Sequence, residues 1–403
     1  MIDVRLPRNV QFMYEHALAN MEFRKGFGAD NIEVNPSDPW HFRMEMNGAK
    51  QELITRSAYA GTIDGQDSVY SHLIRPDYQG GRFNRTRSVN QYLTHWIYPY
   101  KGKFHPQVIR AVLNIIGMKP GCKVLDPFVG SGTTALECEL LGIDLVGVDV
   151  SPLCVMLSRV KTGAWVRVAE IRSTVEAVIA DGMVHPDDLD TKRSEIAEVR
   201  DFLEIARMVT YSDVSRRARD PERYLQKNMR NMLQSVEAMA CAHSEFGLEF
   251  GNVSILEGDA RMLRSVGIED ASIDGIVTSP PYSIALDYVK NDEHALKAMG
   301  LDTNKIRERF VGVRGCGPKN RIALYTEDLK KAFAEMRRVL KPRSPAVVVI
   351  GNATVNGEEE RTTEEMVEWA SEVGLICERE MPKIAWGLYG VVADEKILFF
   401  RRE

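Results

Sequence analysis

The chain has 403 residues, 44% of them hydrophobic, with 52 basic side chains against 57 acidic ones and a net charge of −5. That length and apolar content exclude a disordered or fibrous chain and predict one large α/β domain with an insertion, or two to three ordinary domains. The acidic balance excludes a protein that coats nucleic acid by charge alone.

No run approaches the roughly 20 apolar residues of a membrane span. The opening Met1-Ile2-Asp3-Val4-Arg5 lacks the charged-then-apolar form of a signal peptide, so a cytoplasmic protein without membrane contact is expected. Cys122, Cys138, Cys154, Cys241, Cys316 and Cys377 form no metal-like pair spacing, which predicts reduced thiols and no metal site.

Residues 1–90 read as a partly helical, partly irregular N-terminal region of open role, including the turn-rich Pro76-Asp77-Tyr78-Gln79-Gly80-Gly81. An aromatic passage follows, with Tyr92, His95-Trp96-Ile97-Tyr98-Pro99-Tyr100 and Phe104-His105-Pro106, before helical spacing over Gln107–Ile116. Strands and helices then alternate: a strand over Lys123–Phe128, a helix over Thr133–Leu141, a strand over Leu145–Asp149 and a helix over Pro152–Lys161. Residues 165–250 break the pattern, being charged, helix-rich and without strand signals, and read as a helical insertion. Alternation resumes with strands at Val253–Leu256 and Ile273–Val277, a helix over Tyr325–Leu340, a strand at Ala346–Ile350 and a helix over Thr362–Glu372. Strands at Leu375–Glu380 and Lys396–Phe400, joined by a loop from Pro382 to Glu395, close the chain as an antiparallel hairpin. Such alternation predicts a doubly wound, mostly parallel sheet made of residues 91–164 and 251–403.

Two motifs carry the chemistry. Val124-Leu125-Asp126-Pro127-Phe128-Val129-Gly130-Ser131-Gly132-Thr133-Thr134 is a strand running into a glycine-rich turn and a helix, with Asp149 at the end of the next strand. The spacing suits either a dinucleotide or another adenosine-bearing cofactor, since both want a close backbone turn and an acid on a ribose. Asp126 tilts the choice, because a carboxylate there welcomes a cationic amino group and repels a pyrophosphate. The second motif, Thr278-Ser279-Pro280-Pro281-Tyr282, ends an apolar strand with two prolines that remove backbone donors and aim carbonyls into a cleft. A hydroxyl, a carbonyl and an aromatic ring suit a planar base whose exocyclic amine must be held still.

Together these motifs resemble the S-adenosylmethionine-dependent DNA amino-methyltransferases, and Ser-Pro-Pro-Tyr looks most like their N4-cytosine branch. The resemblance implies a class I, Rossmann-like fold with a mixed seven-stranded sheet. It implies that Asp126, Phe128, Gly130, Gly132, Thr133, Asp149 and Asp259 hold the methyl donor. It further implies that Ser279, Pro280, Pro281 and Tyr282 hold the target amine of a base flipped out of double-stranded DNA. The segment ending in Phe104-His105-Pro106 resembles the one that packs over the donor's methionine end. Donor motif before catalytic motif departs from the permuted order of many N4-cytosine members. N6-adenine modification, methylation of structured RNA and an inactive recognition subunit of a defence complex therefore stand as alternatives. A restriction endonuclease is an expected partner for the leading reading. Sequence recognition falls to the insertion or to residues 1–90; the insertion is favoured by its basic stretch, which includes Arg216, Arg217 and Arg223, with Arg314 as a further phosphate contact after the Pro-Pro segment.

Overall fold

Phe42-Arg43-Met44-Glu45-Met46 alternates apolar and charged residues, and in the computed structural model Phe42 and Met44 are buried while Arg43 and Glu45 face outward. This segment belongs to β3 (Asp38–Met46), the second strand of a five-stranded antiparallel sheet. β1 (Ile2–Arg5), β2 (Ala29–Asn35), β4 (Thr62–Ile63) and β5 (Gln66–Asp67) complete it in the order β2-β3-β1-β4-β5. The irregular region expected for residues 1–90 is thus corrected to a sheet with flanking helices at Met13–Met21 and Lys50–Arg56. β2 escapes a sequence pattern because it is almost wholly exposed and Asn31 breaks its extension with φ at 46°. The structure describes residues 1–48, 50–75, 89–282, 286–355, 358–360, 362–386 and 392–403; the turn-rich Pro76–Gly81 lies outside them.

Five short apolar runs form parallel strands, and the inner ones are buried on both faces, which is why they read as continuous rather than alternating. β6 (Lys123–Asp126) pairs with β7 (Asp144–Asp149) on one side and with β9 (Gly275–Thr278) on the other. β8 (Val253–Glu257) extends the sheet beyond β7, and β10 (Pro345–Gly351) extends it beyond β9. A small antiparallel pair, β11 (Ala353–Val355) and β12 (Glu358–Glu360), follows β10. The last two strands, β13 (Leu375–Trp386) and β14 (Val392–Arg402), form the closing hairpin, with β14 antiparallel to β10. The resulting order is β13-β14-β10-β9-β6-β7-β8. Strand order reverses at β6 and β9, so the crevice at their carboxyl ends is the place where an open α/β sheet takes its ligand.

The hairpin strands run further than Leu375–Glu380 and Lys396–Phe400. Pro382 reads as a stop in sequence, but β13 is an edge strand, where a missing N–H can face away from the ladder. The helix expected from Tyr325 starts at Pro318.

A single hydrophobic core joins Val4, Phe23 and Phe42 of the first sheet to Val112, Val124, Val347 and Ile397. Buried polar groups fasten the same contact: Arg56 donates to the carbonyl of Met118 at 2.8 Å, and the Glu22 carboxylate accepts from Asn114 at 2.7 Å. Residues 168–245 carry three long helices, Val168–Ala180, Ala197–Arg217 and Pro221–Glu245. Phe202, Leu225 and Met229 from these helices pack with Leu153 and Leu157 behind the glycine turn. The last two helices are joined by a tight corner in which Ala218 takes φ of 50°.

Candidate active site

The carboxyl ends of β6 to β9 open into one cavity. Its floor is the glycine turn, with Phe128, Gly130, Ser131 and Thr133, followed by Asp149 after β7, Gly258 and Asp259 after β8, and Ser279 and Pro281 after β9. Tyr100, Gly102, Lys103 and Phe104 cover it, placing the aromatic passage over the turn, and Phe310 and Val311 close the far side.

The turn is shaped for close approach. Gly132 takes φ of 78°, and a Cβ there would lie 2.8 Å from Ser158 Oγ, so no side chain fits. Ser158 Oγ donates to the Gly130 carbonyl at 3.0 Å and Lys161 Nζ to the Ser131 carbonyl at 2.8 Å, which holds the loop from beneath. Asp149 accepts from the Gly130 N–H at 2.9 Å and from the Ser151 N–H at 2.9 Å. Burial outweighs those two bonds and pushes its carboxyl up to about 6.

Asp126 stands behind this wall and does not line the cavity. Its Oδ1 accepts from Thr278 Oγ1 at 2.6 Å and from the Phe128 N–H at 3.1 Å, tying the end of β9 to the glycine turn. Burial pushes this carboxyl, too, up to about 6. Asp259 faces the cavity while its carboxylate pairs with Arg261 at 2.5 Å.

The target side is made differently. Ser279 Oγ donates to the Val349 carbonyl of β10 at 2.7 Å, which fixes the hydroxyl and turns its lone pairs away from β10. Tyr325, which sequence reasoning passed over, donates from its buried hydroxyl to the Pro281 carbonyl at 2.8 Å and pins the Pro-Pro step. Pro280 is buried between these two anchors. Tyr282 lines a second pocket beside the first, with Leu286, Tyr288, His105, Lys383 and Glu395. Its hydroxyl donates to Glu395 Oε1 at 3.0 Å. Lys383 pairs with the other oxygen of Glu395 across β13 and β14. Lys103 and Phe104 border both pockets. Burial holds the Lys103 amine down at about 7 while it donates to the carbonyls of Asn90 and His95. Lys383 and Glu395 were hidden in a presumed loop; a charged pair interrupting two apolar strands was the signal.

A cleft leads from this pocket towards the helical corner and is lined by Trp96, Tyr98, Arg217, Arg219, Tyr224, Lys227 and Lys383. The predicted basic residues divide here. Arg216 turns inward, donating to the carbonyls of Pro99 and Asn291 and pairing with Asp292 at 2.8 Å. Arg314 forks onto buried Asp328 at 2.7 and 2.6 Å, which Arg261 also reaches. Both are held in internal ion pairs, because each faces a carboxylate that burial would otherwise leave uncompensated. Arg217 stays 58% exposed beside the cleft, and Arg223 is exposed. Among the described residues no group of side chains could hold a metal ion, and no helix is long and apolar enough to cross a membrane.

The sheet order, with a reversed strand inserted between the last parallel strand and the edge, defines a class I methyltransferase fold. A model of the DNA methylase family of N6- and N4-type methyltransferases matches residues 34–158. The type II methyltransferase M.BsoBI of Geobacillus stearothermophilus is 21% identical over 347 residues, covering 68% of this chain and 67% of that protein. The type II methyltransferase M.MjaII of Methanocaldococcus jannaschii is 43% identical over 67 residues, 17% of this chain, and the match spans only 12% of the relative's length. A tRNA (guanine(10)-N2)-dimethyltransferase of Methanothermobacter thermautotrophicus is 36% identical over 89 residues, 19% of this chain and 26% of that protein. Among solved structures, the rRNA methyltransferase aviRa of Streptomyces viridochromogenes superposes with a TM-score of 0.36 at 13% identity, over 75% of this chain and 87% of that one, a likeness too distant to carry an argument. Residues 34–158 thus match the DNA methylase family, and the chain is similar to type II methyltransferases.

S-adenosylmethionine is the family's cofactor, and the first cavity fits it. A glycine turn in which a Cβ on Gly130 would crowd Tyr100 at 3.3 Å, an ionisable acid at the end of β7 and apolar plates at Phe128 and Phe310 suit an adenosine.

Proposed function

We propose that the protein is a DNA methyltransferase that carries a methyl group from S-adenosylmethionine to the exocyclic N4 of a flipped cytosine at a defined sequence. The observation that carries this reading is Ser279, which lines the cofactor cavity next to the Tyr282 pocket with its hydroxyl already oriented by Val349. When bound, S-adenosylmethionine supplies an electrophilic methyl on a sulfonium. The protein's part is to make a poor nucleophile attack. The lone pair of a cytosine amine is delocalised into the ring, and two acceptors that hold its hydrogens let the nitrogen move towards tetrahedral geometry. In this reading Ser279 Oγ and the Pro280 carbonyl are those acceptors, and Tyr282 stacks on the base. Rate then comes from positioning, with no strong general base.

Phe128, Gly130, Gly132, Thr133, Asp149 and Asp259 are assigned to the cofactor, Asp149 to its ribose; Asp126 keeps its place as the brace between turn and β9. Residues 165–250 are assigned to sequence recognition, with Arg217 and Arg223 on the DNA backbone. Arg219 and Lys227 lie 5.3 and 4.9 Å from the ring of Tyr224, and a cation-flanked aromatic suits a stacked base or a phosphate. Work on cellular DNA makes the location cytoplasmic, and a restriction endonuclease completes the pairing. A second reading, methylation of an RNA amine, draws on the tRNA-modifying relative that matches 89 residues.

Unmethylated amplified genomic DNA incubated with labelled S-adenosylmethionine is the test, read by nucleoside mass spectrometry. Label in N4-methylcytosine is expected. Label in N6-methyladenine changes the base, and label that enters only tRNA or rRNA selects the second reading.

A further inference from the structure

The Tyr282 pocket holds polar groups that neither the glycine turn nor the Ser-Pro-Pro-Tyr motif explains. Lys383 borders it with its ammonium on one oxygen of Glu395, whose other oxygen takes the Tyr282 hydroxyl. His105 borders it from the residue that precedes the helix Pro106–Ile115. The His105 Nδ1 is shut off from solvent and has no hydrogen-bond partner, and the ring caps nothing at the helix start. A buried polar atom left unpaired costs about 1–3 kcal/mol, so its presence on a residue that lines a pocket points to an occupant that completes it.

We propose that Lys383 and His105 form a donor pair that reads O2 and N3 of the flipped base and thereby selects cytosine over adenine. The inference rests on the amine-methylation reading above and names its substrate.

The two bases differ in their acceptors. Beside its amine, cytosine presents N3 and then the O2 carbonyl, two acceptors in a row. Adenine presents N1 and then a C–H. An ammonium with N–H groups left over from Glu395 and a neutral imidazole in its Nδ1–H tautomer supply two donors. Cytosine satisfies both; adenine leaves one facing carbon, and discrimination of this kind exceeds what a missing methyl gives. Burial keeps His105 neutral, its pKa held down at about 3, so it brings one donor and no charge. Glu395 is the positioning residue: it holds Lys383 and Tyr282 in one plane of contacts across β13 and β14. A phosphate contact would place the ammonium in the open, as with Arg217, whereas the Lys383 side chain is 13% exposed and paired inside the pocket.

Lys383 is tested with Glu395 so that neither ion is stranded. In the Lys383→Met/Glu395→Gln protein Gln still accepts from Tyr282, and His105→Phe is made separately. Calorimetric cofactor affinity reports that each variant folds. On natural DNA both are expected to lose about tenfold or more in N4-methylcytosine formation. The decisive substrate is DNA in which 2-thiocytosine replaces cytosine, since sulfur is a poor acceptor at the O2 position. The wild type should slow on it by a similar factor, and the double variant should lose little more, because the same contact is already gone. Equal, additive losses from sulfur and from the substitution overturn the inference, as does N6-methyladenine as the wild-type product, and both leave amine methylation standing. No label in any nucleoside, with cofactor bound, sinks the amine-methylation reading and the inference with it.

Discussion

The proposed cofactor side and the proposed target side of the site are made of different material. The cofactor side is backbone and buried carboxylate: glycines at positive φ, N–H groups on Asp149, and a loop braced by Ser158 and Lys161. It comes from adjacent strand ends and from the helix Pro152–Gly163 that follows β7. The target side is side chains gathered from distant segments. Ser279 leans on β10, Pro281 on Tyr325, and Tyr282 on Glu395 of the final strand. A cofactor shared by many proteins needs close backbone approach. A particular base needs groups that can be exchanged without disturbing the sheet.

Four experiments press on that division. The largest effect is expected from Ser279→Ala, which removes an acceptor for the amine while leaving the turn intact. Methyl transfer should fall by roughly 100-fold or more, with cofactor affinity unchanged in calorimetry; a parallel loss of affinity would merge the two sides. Gly132→Ala should do the reverse. Its Cβ would meet Ser158 at 2.8 Å on a backbone with φ at 78°, so cofactor affinity should drop about tenfold or more and thermal stability should fall, at a strain of roughly 1–3 kcal/mol.

Acid should act through the cofactor side. The Asp149 carboxyl is raised to about 6, so it protonates as pH falls through that value and stops accepting from ribose hydroxyls. Cofactor affinity, measured by calorimetry from pH 5 to 8, should be flat above about 7 and weaken by up to tenfold per unit below about 6. The sign for the fold without cofactor is opposite. A raised folded pKa favours the neutral acid, so this group's contribution to stability is present below its ordinary value of 3.8 and lost as pH rises through about 6. The smallest effect belongs to the exposed cleft. Arg217→Ala should weaken DNA binding several-fold and reduce the salt-dependence slope by about one, with Arg216→Ala costing stability instead.

Much of this was legible in the residues. Val124, Leu125, Ile276 and Val277 are apolar because parallel strands bury both faces, and the glycines mark the turn because no other residue fits it. The helices within residues 165–250 announced themselves by charged, helix-rich sequence and by the absence of strand runs. The first sheet did not, since one of its strands is exposed along most of its length and its buried alternation in β3 is short. The basic residues show the limit most sharply. Arg216, Arg217 and Arg314 carry the same charge in similar runs, yet two turn inward and one stays exposed beside the cleft.

Local sequence determined the sheet, the glycine turn and the Ser-Pro-Pro-Tyr corner, because each depends on backbone preferences set by a few neighbouring residues. The tertiary structure alone decided which charges face the cleft and which groups surround Tyr282. Lys383 and Glu395 meet only through strand register, and His105 joins them from nearly 280 residues away in the chain. Burial and pairing are properties of the packed chain, so they appear only once distant segments have come together.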